Sequence, residues 1–275
     1  MKIPYTKMQG AANDFIVIDN RQLKLTHEQL SAFAIQTCQR KFSIGADAVM
    51  AVDYPEGHAD FRMRFYNADG TEAEMCGNGA RCIARYAYEK QIAGEAMTIE
   101  TVAGNVPAWR LDQKEYKVTL NSPTVTRFDQ AFPDPRVTTI DYVELGDPGI
   151  PHAVVHYPGL ADVALSELTD IAKAIRHWDA FPKGANVNFY DEAPMGGLVV
   201  RTFERGVEDF TFACGTGSGA TAFAVARHQG KAAAQVQLHV LGGTLTVAVD
   251  HENLELIGDA IMVSEGLILD ENLHL

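Results

Sequence analysis

The chain has 275 residues, 47% of them apolar and 21% charged, which suits a folded protein of about two domains. A net charge of −13 with no basic run excludes a phosphate-binding face, and so disfavours a nucleic-acid partner. No apolar stretch nears the ~20 residues of a membrane span, and the start, from Met1 to Lys7, has no secretory apolar segment. Cys38, Cys76, Cys82 and Cys214 are too few in so long a chain for a disulfide scaffold and read as cytosolic thiols, so a cytoplasmic location is expected.

In chain order, Asn13–Val17 reads as a strand. Leu30, Phe33, Ala34 and Thr37 then mark a helix, with Thr26 and Gln29 as its capping box. Phe61–Tyr66 alternates with period two, as a half-buried strand does. Asn67-Ala68-Asp69-Gly70 is a turn, and a helix covers about 80–90. Asn121-Ser122-Pro123 and the Pro-rich stretch to Pro135 read as a connection between domains. Leu168, Ile171, Ala172 and Ile175 mark another helix, and 218–228 a further one.

The second half repeats the first. Cys76-Gly77-Asn78-Gly79 and Cys214-Gly215-Thr216-Gly217 lie 138 residues apart, and the helix at Leu30 meets that at Leu168 with the same offset. At that offset Asn13-Asp14 falls on Pro151-His152. With one residue inserted, Gly45-Ala46-Asp47 falls on Gly184-Ala185-Asn186. Two related α/β domains are expected, 1–121 (with 264–275 returning to it) and 122–263. A cleft between them is the default place for a ligand.

Each Cys-Gly turn sets a cysteine where a helix begins. Helix N-termini offer unpaired N–H groups and about half a positive charge. Such a place can lower a thiol pKa from about 8.5 to between about 3.5 and 7.5. The same N–H groups can hold a carboxylate. Two such cysteines could remove a proton from one face of a carbon and supply one to the other. That is stereoinversion, for which no cofactor and no metal is expected. Cys38 and Cys82, within helical patterns, read as packing residues.

The segments Lys7–Phe15, Phe65–Gly70, Cys76–Cys82, Gly184–Phe189, Glu204-Arg205-Gly206 and Ala213–Gly217, in that order, resemble the diaminopimelate epimerase family. The resemblance implies two similar domains, each a mostly antiparallel sheet wrapped round a central helix. It implies cofactor-independent interconversion of LL- and meso-diaminopimelate, in lysine and cell-wall precursor biosynthesis. Cys76 would be the proton donor and Cys214 the acceptor in the LL direction. His152 and Glu204 would support proton transfer. Gly77, Asn78, Gly215 and Thr216 would bind the reacting carboxylate. Asn67, Asn186, Glu204 and Arg205 would hold the distal amino-acid end, and Asn13 would line the site. A homodimer is compatible with the resemblance; the sequence does not give the oligomeric state.

Two positions depart from the family pattern. Ala48 stands where the family often has Gln, and Ile150 where it often has Asn. A racemase of another amino acid is therefore a second expectation, and an amino-acid-binding protein with inert cysteines a third. Gly215-Thr216-Gly217-Ser218-Gly219-Ala220 fits a dinucleotide-binding pattern, but no acidic residue follows at about 20 positions.

Overall fold

The computed structural model describes residues 2–269, 271 and 273–275. The chain forms two compact units, Met1–Val118 with Gly258–Leu275, and Thr119–Ile257. In chain order come β1 (Lys2–Gly10), β2 (Asn13–Asp19), α1 (Asn20–Leu23), α2 (His27–Thr37), β3 (Ala48–Asp53) and β4 (Phe61–Asn67). There follow β5 (Glu72–Ala73), α3 (Gly77–Glu89), β6 (Ala96–Thr101), β7 (Gly104–Arg110) and β8 (Glu115–Leu120). The second unit is built from β9 (Pro123–Asp134), β10 (Val137–Leu145), β11 (Ile150–His156), α4 (Leu165–Arg176), β12 (Asn186–Glu192) and β13 (Leu198–Glu204). It continues with β14 (Asp209–Thr211), α5 (Gly215–His228), β15 (Ala233–Val240), β16 (Gly243–Asp250) and β17 (Asn253–Asp259). Finally β18 (Ile261–Leu269) returns to the first unit, beside β1.

In the first unit β18, β1 and β2 are antiparallel neighbours and β2 runs parallel to β3. Next come β4 and β5, antiparallel, and β6, parallel to β4, with β7 and β8 antiparallel beyond. The second unit repeats this order from β9 to β17, with β11–β12 and β13–β15 as its parallel pairs. The fold is therefore mixed α/β, two pseudo-symmetric units of mostly antiparallel sheet. Each sheet wraps one helix: α3 is buried from Gly77 to Ala87, and α5 is buried along most of Gly215–Ala226.

A second helix covers the other face of each sheet. Leu30, Phe33 and Ala34 of α2 pack with Ile16, Ile18, Val49 and Ala51. Leu168, Ile171, Ala172 and Ile175 of α4 pack with Ala153, Val155, Val187 and Phe189. Strands covered on both faces read as continuous apolar runs, which is why Phe15–Ile18 and Ala48–Val52 carry no alternation. The capping box forms as read: Thr26 Oγ1 accepts from Gln29 N, and Gln29 Oε1 accepts from Thr26 N.

Two features differ from the sequence reading. The Pro-rich stretch after Asn121 forms β9 rather than a connection. β9 pairs with β10, and Pro123 stands at its first position, where a missing N–H is tolerated. The plain 138 offset also slips on β11. The residues facing the outer helix are Ile16 and Ile18 in one unit and Ala153 and Val155 in the other, an offset of 137. His152 thus corresponds to Phe15, Ile150 to Asn13 and, through the parallel registers, Asn186 to Ala48. Alternation has period two, so a one-residue slip exchanges the faces. No helix among the described residues is long and apolar enough to cross a membrane.

Candidate active site

In the first unit Cys76 is the N-cap of α3, with extended backbone (φ −135°). Its Sγ accepts from Gly79 N at 3.5 Å, taking the place a serine or aspartate oxygen takes in ordinary caps. The thiol also donates to Asn13 Oδ1 at 3.6 Å. Asn13 is itself held, its Nδ2 donating to Asp47 Oδ2 at 2.9 Å. Behind it Arg40 bonds to both Asp14 (3.0 Å) and Asp47 (3.1 Å), and Lys7 pairs with Asp14 at 2.6 Å. Burial works against the Asp14 charge, yet Lys7 and Arg40 together hold its pKa below the ordinary value.

Gly79 lets the start of α3 lie against the sheet. A β-carbon there would meet Met50 Sδ at 3.0 Å and the Phe65 ring at 3.1 Å. Gly77 and Asn78 form the first turn of α3, and the Asn78 side chain accepts from Arg81 Nη2 at 3.1 Å. Asn67 closes β4 opposite Ala48, and its Nδ2 donates to Thr71 Oγ1 at 3.0 Å. Asn13, Ala48 and Asn67 thus sit at the same end of the sheet.

The second unit builds the same cap with different support. Cys214 is the N-cap of α5, and its Sγ accepts from Gly217 N at 3.3 Å. Thr216 Oγ1 lies 3.5 Å from that sulfur. Gly215 and Thr216 are the first two residues of the helix. A β-carbon on Gly217 would overlap the Asn188 amide oxygen. Asn188 is fully buried: it accepts from Thr202 Oγ1 at 3.0 Å and donates to Ala153 O at 3.2 Å and to His152 Nδ1 at 3.3 Å.

His152 is also fully buried, and its Nε2 has no partner among the described residues. Burial, with the Arg205 charge adding to it, holds its pKa down at about 3. It is therefore a neutral imidazole, with its proton on Nε2 if Asn188 donates to Nδ1. Glu204, at the end of β13, has its pKa raised by burial. The Asn186 amide is engaged at both ends, donating to Pro151 O at 3.2 Å and accepting from Arg205 N at 2.8 Å. Arg205 Nη1 donates to Lys183 O at 3.1 Å.

The structure therefore brings Asn13 to Cys76, Asn78 to the turn that Cys76 caps, and Asn186 to Arg205. Asn188, Thr202, Asp47 and Arg81 support these groups, and the sequence reading gave none of them a role. For Asn188, Thr202 and Arg81 the signal was a polar residue inside an apolar strand or helix; Asp47 stands in the bend before β3. Cys38 and Cys82 are buried, and burial pushes both thiols up to about 12, so they are inert packing residues.

Comparison with known proteins identifies the family and the fold. The family model described as Diaminopimelate epimerase matches residues 5–126 and 146–263. A diaminopimelate epimerase of Methanothrix thermoacetophila is 38% identical, over 99% of this chain and 98% of its own. One from Methanocella arvoryzae is 39% identical (97% of each chain), and one from Aquifex aeolicus 36% (98% and 99%). Solved structures share the fold at lower identity. A PhzF-family phenazine biosynthesis protein of Bacillus anthracis superposes with TM-score 0.75 at 17% identity, covering 98% of this chain and 99% of that one. A hydroxyproline epimerase of Agrobacterium vitis gives 0.67 at 16%, covering 97% and 91%. The chain belongs to the diaminopimelate epimerase family of isomerases.

Proposed function

We propose that this protein interconverts LL- and meso-diaminopimelate by cofactor-independent acid–base catalysis, in lysine and cell-wall precursor biosynthesis. The observation that carries the reading is the paired N-cap cysteine, Cys76 on α3 and Cys214 on α5, in a chain of this family. One cysteine, as thiolate, takes the α-proton and becomes a thiol. The electron pair left on carbon is delocalised into the α-carboxylate. The other cysteine, as thiol, gives its proton to the opposite face and becomes a thiolate. Cys76 is the donor in the LL direction and Cys214 the acceptor, and the roles exchange in reverse.

The N–H groups of the first helical turns, at Gly77, Asn78, Gly215 and Thr216, lie outside the helix's own bonding ladder. In this reading they bind the carboxylate and stabilise the charge that develops on it. Arg205 and Glu204 take the distal carboxylate and ammonium, with Asn67 and Asn186 as further contacts of that end, and Asn186 also fixes the Arg205 backbone. Asn13 orients the Cys76 thiol. Neutral His152 places an N–H donor in the second unit without adding a charge.

The test is proton NMR in D2O with LL-diaminopimelate and reduced, chelator-treated protein. Deuterium at the α-carbon together with meso product is expected. Tight binding without exchange would overturn the reading in favour of a binding protein. Exchange with a different amino acid alone would assign a racemase.

A further inference from the structure

Arg81 is the largest fully buried side chain among the described residues. Its Nη2 donates to Asn78 Oδ1, while Nε and Nη1 have no partner among the described residues. Side chains on a helix lean toward its N-terminus, so Arg81 reaches back over the turn that Cys76 caps. A guanidinium buried without an anion is costly, and burial pulls its own pKa down.

The groups around it differ in how well they can balance this charge. Cys82 and Cys76 on its own helix and Asp259 all act on the Arg81 charge. Asp259 is exposed to solvent, and Cys82 is a neutral thiol at ordinary pH. On the β1–β2 side, Lys7 and Arg40 are balanced by Asp14 and Asp47, so that network is formally neutral. The repeat gives Cys214 no equivalent: at offset 138 Arg81 falls on Gly219, where a β-carbon would already meet Leu120 at 2.7 Å. Gly10 lies beside the guanidinium, where a β-carbon would sit in ordinary contact with Nη2 at 3.4 Å.

We infer that Arg81 is a positioning residue of the first half-site: it locks Asn78 in the first turn of α3, and its buried charge stabilises the thiolate of Cys76 and not that of Cys214. The two cysteines, alike in sequence setting, then differ at rest, Cys76 carrying the larger thiolate fraction. This deepens the epimerase reading, but it can be tested without turnover.

The experiment is iodoacetamide alkylation of the full-length reduced protein against pH, with each cysteine read by peptide mass. Arg81→Met, close in shape and uncharged, should raise the Cys76 midpoint by about one pH unit or more and leave Cys214 within a few tenths. Arg81→Gln keeps an amide donor toward Asn78 and should shift Cys76 as far, and it serves if Arg81→Met does not fold. Arg81→Lys, which keeps the charge, should recover at least half of the shift. An unchanged Cys76 midpoint in Arg81→Gln, or equal shifts at both cysteines, would overturn the inference even if activity falls. Loss of α-proton exchange in the unsubstituted protein would instead count against the epimerase reading and leave the titration result standing.

Discussion

The Asn188 side chain donates to His152 Nδ1 at 3.3 Å, and both residues are fully buried. Burial, with the Arg205 charge adding to it, keeps the imidazole neutral, with a folded pKa of about 3 against an ordinary 6.5. Between those values the unfolded chain binds the proton and the folded one does not. Folding stability from this group is therefore present above pH ~6.5 and lost as pH falls toward 3, by up to about 5 kcal/mol. His152→Phe should flatten that part of the stability–pH curve in urea titrations. An unaltered slope would show that His152 charges in the folded protein.

Gly217 and Gly79 occupy matching positions but face different neighbours. A β-carbon at 217 overlaps the oxygen of the Asn188 amide, a side chain anchored by hydrogen bonds to Thr202, Ala153 and His152, and comes within 3.2 Å of Cys214 Sγ. At 79 the nearest atom is the flexible Met50 sulfur. Gly217→Ala should cost about 1–3 kcal/mol and slow alkylation of Cys214, whereas Gly79→Ala should cost less. Thermal unfolding of the two variants compares them directly.

Cys76→Ala and Cys214→Ala should each abolish epimerisation while keeping the native circular dichroism. Each change removes one thiol and leaves the other cap intact. Rates within threefold of the unsubstituted protein in either variant would exclude a two-cysteine mechanism.

Asp47 touches Asn13, and Asn13 touches the Cys76 thiol. Asp47→Ala frees the Asn13 amide to rotate and should lower kcat about tenfold with a smaller change in KM, the signature of a misplaced reacting group. Steady-state kinetics give the split.

Arg205 is held at its backbone by Asn186 and through Nη1 by Lys183 O. Removing a charged clamp leaves a bound carboxylate unpaired at a cost of about 1.5–3 kcal/mol. Arg205→Ala should weaken diaminopimelate binding roughly 10- to 100-fold, with little effect on alanine. Equal losses by calorimetry would place Arg205 elsewhere in function.

The two cysteine caps were legible because their signals are local. A cysteine ahead of glycines at a helix start is a property of four consecutive residues, and its recurrence 138 positions on needs no structure to see. The capping box at Thr26 and the helix at Leu168 are equally local. What misled was punctuation: Pro123 and the prolines after it suggested a connection, yet a strand accepts proline where no ladder bond is required.

The sequence alone determined the repeat, the two N-cap thiols and the family, because short-range backbone geometry and motif order are written in contiguous residues. The tertiary structure decided the electrostatics. It placed His152 on the face that Phe15 occupies in the other unit, through a slip of one residue that reverses a strand's faces. It buried Arg81 against Asn78 in the turn that Cys76 caps, and set Asn188 against Gly217 in the turn that Cys214 caps. The Asn188 contacts join residues far apart in the chain, and burial holds His152 neutral; neither can be read from residue order.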